Sequence, residues 1–272
     1  MTTSWPRPLD STTEAGRWWA QHHLQWKPVE EELFEPFRRR SNEWRVLPEE
    51  LQRLLLQRFG TAAATATLLD FGAHEGGLLS GQLQQLFGHY LAVQFDGEHA
   101  AAELLGALPQ RRDLHGFDVV TAVHVVQYMR RPDLALAHLA QCATHGAIAV
   151  VVMLDTQGDQ HQAWELALQQ DPGYPWRYDQ ADVFAAWLAA NNVPFDSAVV
   201  WTATAVEDEQ ALRQVLAFFL AANDPSLVAS VAERFRGRPT LTTAHRVFMF
   251  PLAAAAPARG SLPPGRTVTA PT

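Results

Sequence analysis

The sequence predicts an α/β fold: a doubly wound, mostly parallel sheet with helices on both faces, preceded by a helical segment. Three observations lead there. From residue 66, short apolar runs alternate with segments of helical period. The runs are continuously apolar rather than alternating, which marks strands buried on both faces. A glycine-rich turn, Gly72-Ala73-His74-Glu75-Gly76-Gly77, then joins the first run to the next helix. In doubly wound sheets, that is where ligands bind.

Taken in order, the first 60 residues read as three amphipathic helices: EAGRWWAQHHLQW, VEEELFEPFRRRSNEW and LPEELQRLLLQRFG. Pro28 and Pro48 fall near the starts of the second and third, where a helix tolerates proline. Trp5, Trp18, Trp19, Trp26 and Trp44 all lie here, so residues 1–60 are expected to form a helical lid packed on the main domain. Residues 61–250 are expected to be that domain. ATLLDFG reads as its first strand, EGGLLSGQLQQLFG as a helix, HYLAVQFD as a strand, GEHAAAELLGAL as a helix and FDVVTAVHVV as a strand. RPDLALAHLAQCATHG reads as a helix ending near Gly146, and AIAVVVM as a strand. A polar, aromatic connection with a short helix around residues 163–169 follows. After it come the helix ADVFAAWLAANN, the strand FDSAVVWTATAV, two helices opening on acidic residues, and the strand TAHRVFMFP. The tail 251–272, rich in Pro, Ala and Gly, is expected to be flexible.

Composition narrows the function. At 47% hydrophobic residues the chain can bury a sizeable core. Its formal charge of −8 argues against nucleic acid as the main partner, since phosphate binding needs a dense cationic surface. The arginines of FRRRSNEWR read as a solvated helix end. No run of about 18 apolar residues could cross a bilayer, and the N-terminus lacks the pattern of a signal peptide. Cys142 is the only cysteine, so neither a disulfide framework nor a cysteine zinc site is expected. The adjacent His22 and His23 have no carboxylate pattern nearby and read as surface residues; no metal is expected. A soluble cytoplasmic protein follows, its oligomeric state unreadable.

The turn discriminates among cofactors. A dinucleotide fingerprint needs a second glycine where the pyrophosphate approaches the backbone. Here that place holds His74, which disfavours an NAD(P)-dependent oxidoreductase. A phosphate-cradling G-x-x-x-x-G-K-[ST] loop is absent from the sequence. Asp96, about twenty residues past Gly76, ends the second strand where an acid can grip ribose hydroxyls.

In the order and spacing of these segments the chain resembles the class I (Rossmann-like) S-adenosylmethionine-dependent methyltransferases, and within them the small-molecule branch. LLDFGAHEG is similar to their first motif, LAVQFDGEHAAAEL to the second, and the stretch from Phe117 to Met153 to their fourth strand, helix and fifth strand. The resemblance covers roughly residues 12 to 250. It implies S-adenosylmethionine as cofactor, held by Asp70, Gly72, Ala73, His74, Gly76, Asp96, Gly97 and Val123. The chain departs from the pattern at His74 and in PQRRDLHG, which leaves the family's third strand shortened or missing, with Asp113 and Leu114 as remnants.

For the chemistry, His124, just beyond the fourth of the family's strands, is the first candidate base. Tyr128 is placed to share its wall, and His161 is a weaker candidate. Trp19, Tyr174, Trp176, Arg177 and Tyr178 are candidate substrate contacts; aromatic walls suit a planar or cationic acceptor, and Arg177 a carboxylate. The expected activity is methylation of O or N on a small, specialised metabolite. The alternative is a protein of this fold without methyl transfer, either a cyclase-like enzyme or a partner subunit.

Overall fold

The computed structural model describes residues 14–22, 31–72, 80–94, 104, 106–174, 179–222 and 224–252. In chain order the helices are α1 (Glu14–His22), α2 (Glu31–Arg40), α3 (Glu43–Phe59), α4 (Ser80–Leu86), α5 (Pro132–Cys142), α6 (Gly158–Gln170), α7 (Gln180–Ala190), α8 (Glu209–Leu220) and α9 (Pro225–Ala232). The strands are β1 (Thr67–Phe71), β2 (His89–Val93), β3 (Phe117–Val123), β4 (Ala143–Gln157), β5 (Asp196–Ala205) and β6 (Thr240–Pro251).

The strands form one sheet in the order β2-β1-β3-β4-β6-β5. The pairs β1–β2, β1–β3 and β3–β4 are parallel. β6 runs antiparallel to both β4 and β5, so it lies reversed between two strands of the common direction. The order departs in opposite directions from the β1/β3 pair, which makes the crevice above their carboxyl ends the switch point for ligand binding.

Successive strand residues point to opposite faces, and each face buries its own core. Leu69, Val120, Val151 and Phe248 face a layer containing α1, α5 and α7. Leu68, Val119, Val150 and Val247 face α3 and α4, where Leu47, Leu51 and Leu55 are fully buried. Each such leucine contributes about 1.5–3 kcal/mol relative to an exposed one. A third cluster joins α2, α6, α8 and α9 through Phe37, Trp164, Phe219 and Val231. The N-terminal helices therefore do not share one surface: α1 packs on α7, α2 on α8, and α3 on the sheet.

The structure moves several expected boundaries. α3 begins five residues before Pro48 and runs through it, forgoing the one backbone hydrogen bond that Pro48 cannot donate. β5 sets the earlier start. Asn42 accepts from Ala203 N through its side chain (2.8 Å) and donates its own N–H to Ala203 O (3.0 Å). Ser41 Oγ accepts from Glu43 N at 3.2 Å. α5 ends at Cys142 rather than near Gly146. Gly146, at φ +87°, lies within β4, where two steps along β3 correspond to five along β4. The helix expected around 163–169 spans Gly158–Gln170.

The shortened third-strand region is found as expected. β2 is the edge strand, and single turns at Leu108–Gln110 and Arg112–Leu114 stand between the helical residues near 107 and β3. Asp113 is taken up by Arg111 at 2.6 Å, and Leu114 is buried in the core. The arginine cluster is internally paired on the surface. Arg38 and Arg39 share Glu35 (2.7 and 2.8 Å), Arg40 reaches Glu207 (3.0 Å) and Arg45 reaches Glu49 (3.3 Å). No single helix among the described residues is long and apolar enough to cross a membrane.

Candidate active site

At the switch point, β1 ends in Phe71 and the chain leaves it through Gly72 at φ +87°, a conformation that glycine adopts without strain. Gly72 N–H donates to Val93 O at 2.8 Å, which carries the β1–β2 ladder one step further. Asp70 lies one residue before the end of β1. It is buried, accepting from Tyr90 Oη and Thr121 Oγ1, both at 2.7 Å. Burial raises its carboxyl above the usual range despite these two bonds. Asp70, read from the sequence as a cofactor contact, thus ties β1 to β2 and β3 just before the turn. Val123, half-buried, packs on the α3 face of the sheet. Ala73, His74, Gly76, Asp96 and Gly97 lie outside the described residues.

One step beyond β3, the chain turns at His124. Its N–H still donates to Val152 O at 2.9 Å, but its φ of +55° is left-handed. Such a backbone is uncommon outside glycine, although histidine is among the residues that reach it more readily. The turn swings the imidazole toward the α3 face. There Nε2 lies 3.5 Å from Glu43 Oε1 and 3.2 Å from His245 Nδ1. His245 Nε2 lies 3.8 Å from Glu43 Oε2 and 2.9 Å from Thr202 Oγ1. These groups come from distant parts of the chain: the first turn of α3, the end of β3, β5 and β6.

Glu43 and His245 are buried, whereas 22% of the His124 side chain is exposed. Burial pushes the His245 imidazole down to about 4, with Glu43 pulling the other way and His124 adding to the fall. His245 is accordingly neutral at pH 7. Burial alone would raise Glu43; the fields of His245 and His124 outweigh it and hold the carboxyl below its ordinary range. A buried anion thus sits between two imidazoles at the carboxyl end of the sheet. His124 Nδ1 is buried with no hydrogen-bond partner among the described residues.

Among the candidates read from the sequence, the structure brings His124 and Tyr128 to one neighbourhood. Tyr128 lies in a single tight turn, Val126–Tyr128, rather than one helical turn on. Burial raises its hydroxyl, Gln127 opposes the rise and the Glu43 charge adds to it. Tyr128 therefore stays protonated at neutral pH and can donate but not act as a base. His161 lies elsewhere, on α6, 3.4 Å from Glu165.

Trp19 and Tyr174, read from the sequence as substrate contacts, are placed within the core. Trp19 is 1% exposed and donates from Nε1 to Met129 O at 2.8 Å, pinning α1 to the core. Tyr174 is buried after α6 and donates from Oη to Leu220 O at 2.6 Å. Both indole and phenol bring an apolar body with one polar atom, and here that atom is satisfied by a backbone carbonyl. Trp176, Arg177 and Tyr178 lie outside the described residues, as does His23. The sequence reading missed Glu43, His245 and Thr202. Its one available signal was a histidine inside the apolar run of TAHRVFMFP.

Comparison with known proteins finds many solved structures that match, three of which follow. One is the YcgJ protein from Bacillus subtilis, at 10% identity over 76% of this chain and 100% of that one, with a TM-score of 0.48. Another is the [4+2]-cyclase SpnF, at 14% identity over 86% of this chain and 88% of that one, TM-score 0.41. The third is phosphoethanolamine N-methyltransferase 2 from Haemonchus contortus, solved with S-adenosylhomocysteine. It is 15% identical over 74% of this chain and 52% of that one, TM-score 0.38. No curated protein matches the sequence. The model of the methyltransferase-domain family matches residues 39–193, more than half of the chain, from the end of α2 past α7. Every element that builds the crevice, and two of the three clustered groups beside it, fall within that stretch; the chain belongs to the methyltransferase-domain family, with a Rossmann-like sheet order.

Proposed function

We propose that the chain is an S-adenosylmethionine-dependent methyltransferase acting on O or N of a small molecule. The observation that carries this reading is the placement of the glycine turn: Gly72, in the conformation glycine favours, opens the loop at the point where the sheet order reverses. That geometry fits the methionine end of a nucleoside sulfonium, a cofactor without phosphate that tolerates a side chain at His74. Gly72, Ala73, His74 and Gly76 would hold this end beside Val123, and Asp96 with Gly97 the ribose. Bound there, S-adenosylmethionine supplies a methyl group already activated on sulfur.

Little remains for the protein but to position the acceptor and exclude water. An acceptor hydroxyl or ammonium must also lose a proton, and the Glu43–His124–His245 cluster supports that need with a buried anion at the same end of the sheet. Tyr128 would donate a hydrogen bond to the acceptor. Trp176, Arg177 and Tyr178, in the connection after α6, remain the proposed acceptor contacts.

Calorimetric titration with S-adenosylhomocysteine tests the reading. We expect one site per chain, and loss of binding in Asp96→Ala. No detectable binding to the intact protein would overturn it in favour of a fold retained without methyl transfer. Transfer of a labelled methyl group then measures turnover.

A further inference from the structure

We propose that Glu43, His124 and His245 form a binding site for one borderline divalent cation of the Zn²⁺, Co²⁺ or Fe²⁺ kind. The donor set is the first support. Two imidazoles and a carboxylate, carried by three separate elements, place one ligand atom each within 4.8 Å of the others. Cations such as Mg²⁺ and Ca²⁺ prefer oxygen alone, whereas imidazole nitrogen beside a carboxylate suits zinc and its neighbours.

The spacing is the second. Ligands about 2.0–2.1 Å from a tetrahedral zinc lie roughly 3.3–3.4 Å from each other. His124 Nε2 stands 3.2 Å from His245 Nδ1 and 3.5 Å from Glu43 Oε1. Two of the three edges thus stand near the length such a polyhedron needs, and the third, between His245 and Glu43, lies within 4.8 Å, so a modest closing of Glu43 would complete the set.

Thr202 gives the third. Metal-bound histidines as a rule use their second nitrogen to hold an outer partner, which fixes tautomer and ring orientation. Thr202 Oγ1, 2.9 Å from His245 Nε2, is such a partner, and with the proton on Nε2 the Nδ1 lone pair faces His124. His124, the partly exposed member, leaves the remaining coordination position open to an oxygen of water or of the methyl acceptor. Only the acceptor half of that last statement rests on the methyltransferase reading.

The test titrates the purified full-length chain, stripped with chelator, with Zn²⁺ and separately with Co²⁺. We expect one ion per chain, and visible d–d absorption on adding Co²⁺. Glu43→Gln and His245→Ala should each weaken binding at least about tenfold, and Thr202→Val by about tenfold. Removing a buried group can unfold a protein, so His124→Asn is the decisive variant. Asparagine tolerates the left-handed backbone at this position, so the fold should persist while a ligand is lost. No saturable binding, or binding that His124→Asn leaves unchanged while circular dichroism shows an intact fold, would overturn the proposal. Neither titration contains S-adenosylmethionine or its product, so failure here and failure of the S-adenosylhomocysteine experiment are separate results.

Discussion

The two sides of the crevice, the proposed cofactor side and the proposed acceptor side, are built in different ways. The cofactor side is local: β1, its glycine turn and β2 follow one another within about 30 residues and share one ladder. The acceptor side is assembled from Glu43, His124, Thr202 and His245, four positions spread over two hundred residues of chain. The first carries a pattern that can be read along the sequence. The second exists only once α3, β3, β5 and β6 have docked. Binding of the cofactor and treatment of the acceptor should accordingly be separable by mutation.

The sharpest separation is kinetic. Glu43→Gln is expected to lower methyl transfer by about 10²–10⁴-fold, the usual contribution of a group that assists proton transfer. Affinity for S-adenosylhomocysteine should change little, and the two quantities can be measured on one preparation. Equal losses in both would show that the two sides act as one unit.

Next in size is a change to the support of the acceptor side. Arg246, beside His245 on β6, pairs with Asp155, which is wholly buried, and with the more exposed Asp182. Arg246→Met would strand the buried Asp155 carboxylate. A loss of about 3–5 kcal/mol in denaturant unfolding is expected, as for other broken buried pairs. A loss below about 1 kcal/mol would mean that water or another group replaces the arginine.

The smallest effect belongs to the cofactor side and appears as a pH dependence. Burial raises Asp70 above its ordinary value, so between that value and the raised one the folded protein keeps a proton that the unfolded chain has released. Stability attributable to Asp70 is then greatest below its ordinary value and falls as pH rises through this window. Asp70→Asn removes the dependence. The stability difference between variant and wild type should shift in the variant's favour across the window, and a difference flat with pH would contradict the assignment.

The same contrast explains what the sequence could and could not reveal. Uninterrupted apolar runs such as those of β1 and β4 announce strands buried on both faces, and the missing edge strand was visible as the short interval PQRRDLHG. Helix ends were less readable where tertiary contacts set them. Asn42 binding to Ala203 starts α3 well before the apolar period begins, and that early start carries Glu43 into the site. Trp19 and Tyr174 look like binding residues because their polar atoms are portable; only the fold shows those atoms spent on Met129 and Leu220. A ligand set sought through cysteines or neighbouring histidines could not include Glu43, His124 and His245, whose nearness depends on the strand order.

β6 closes the sheet from within, filling the gap between β4 and β5 rather than adding to an edge. During synthesis that gap stays open until residue 251 has left the ribosome, while β1, β2 and β3 can already pair. A nascent chain can therefore pair these three strands while the cluster of Glu43 and His124 still lacks its third member, His245, which β6 brings last.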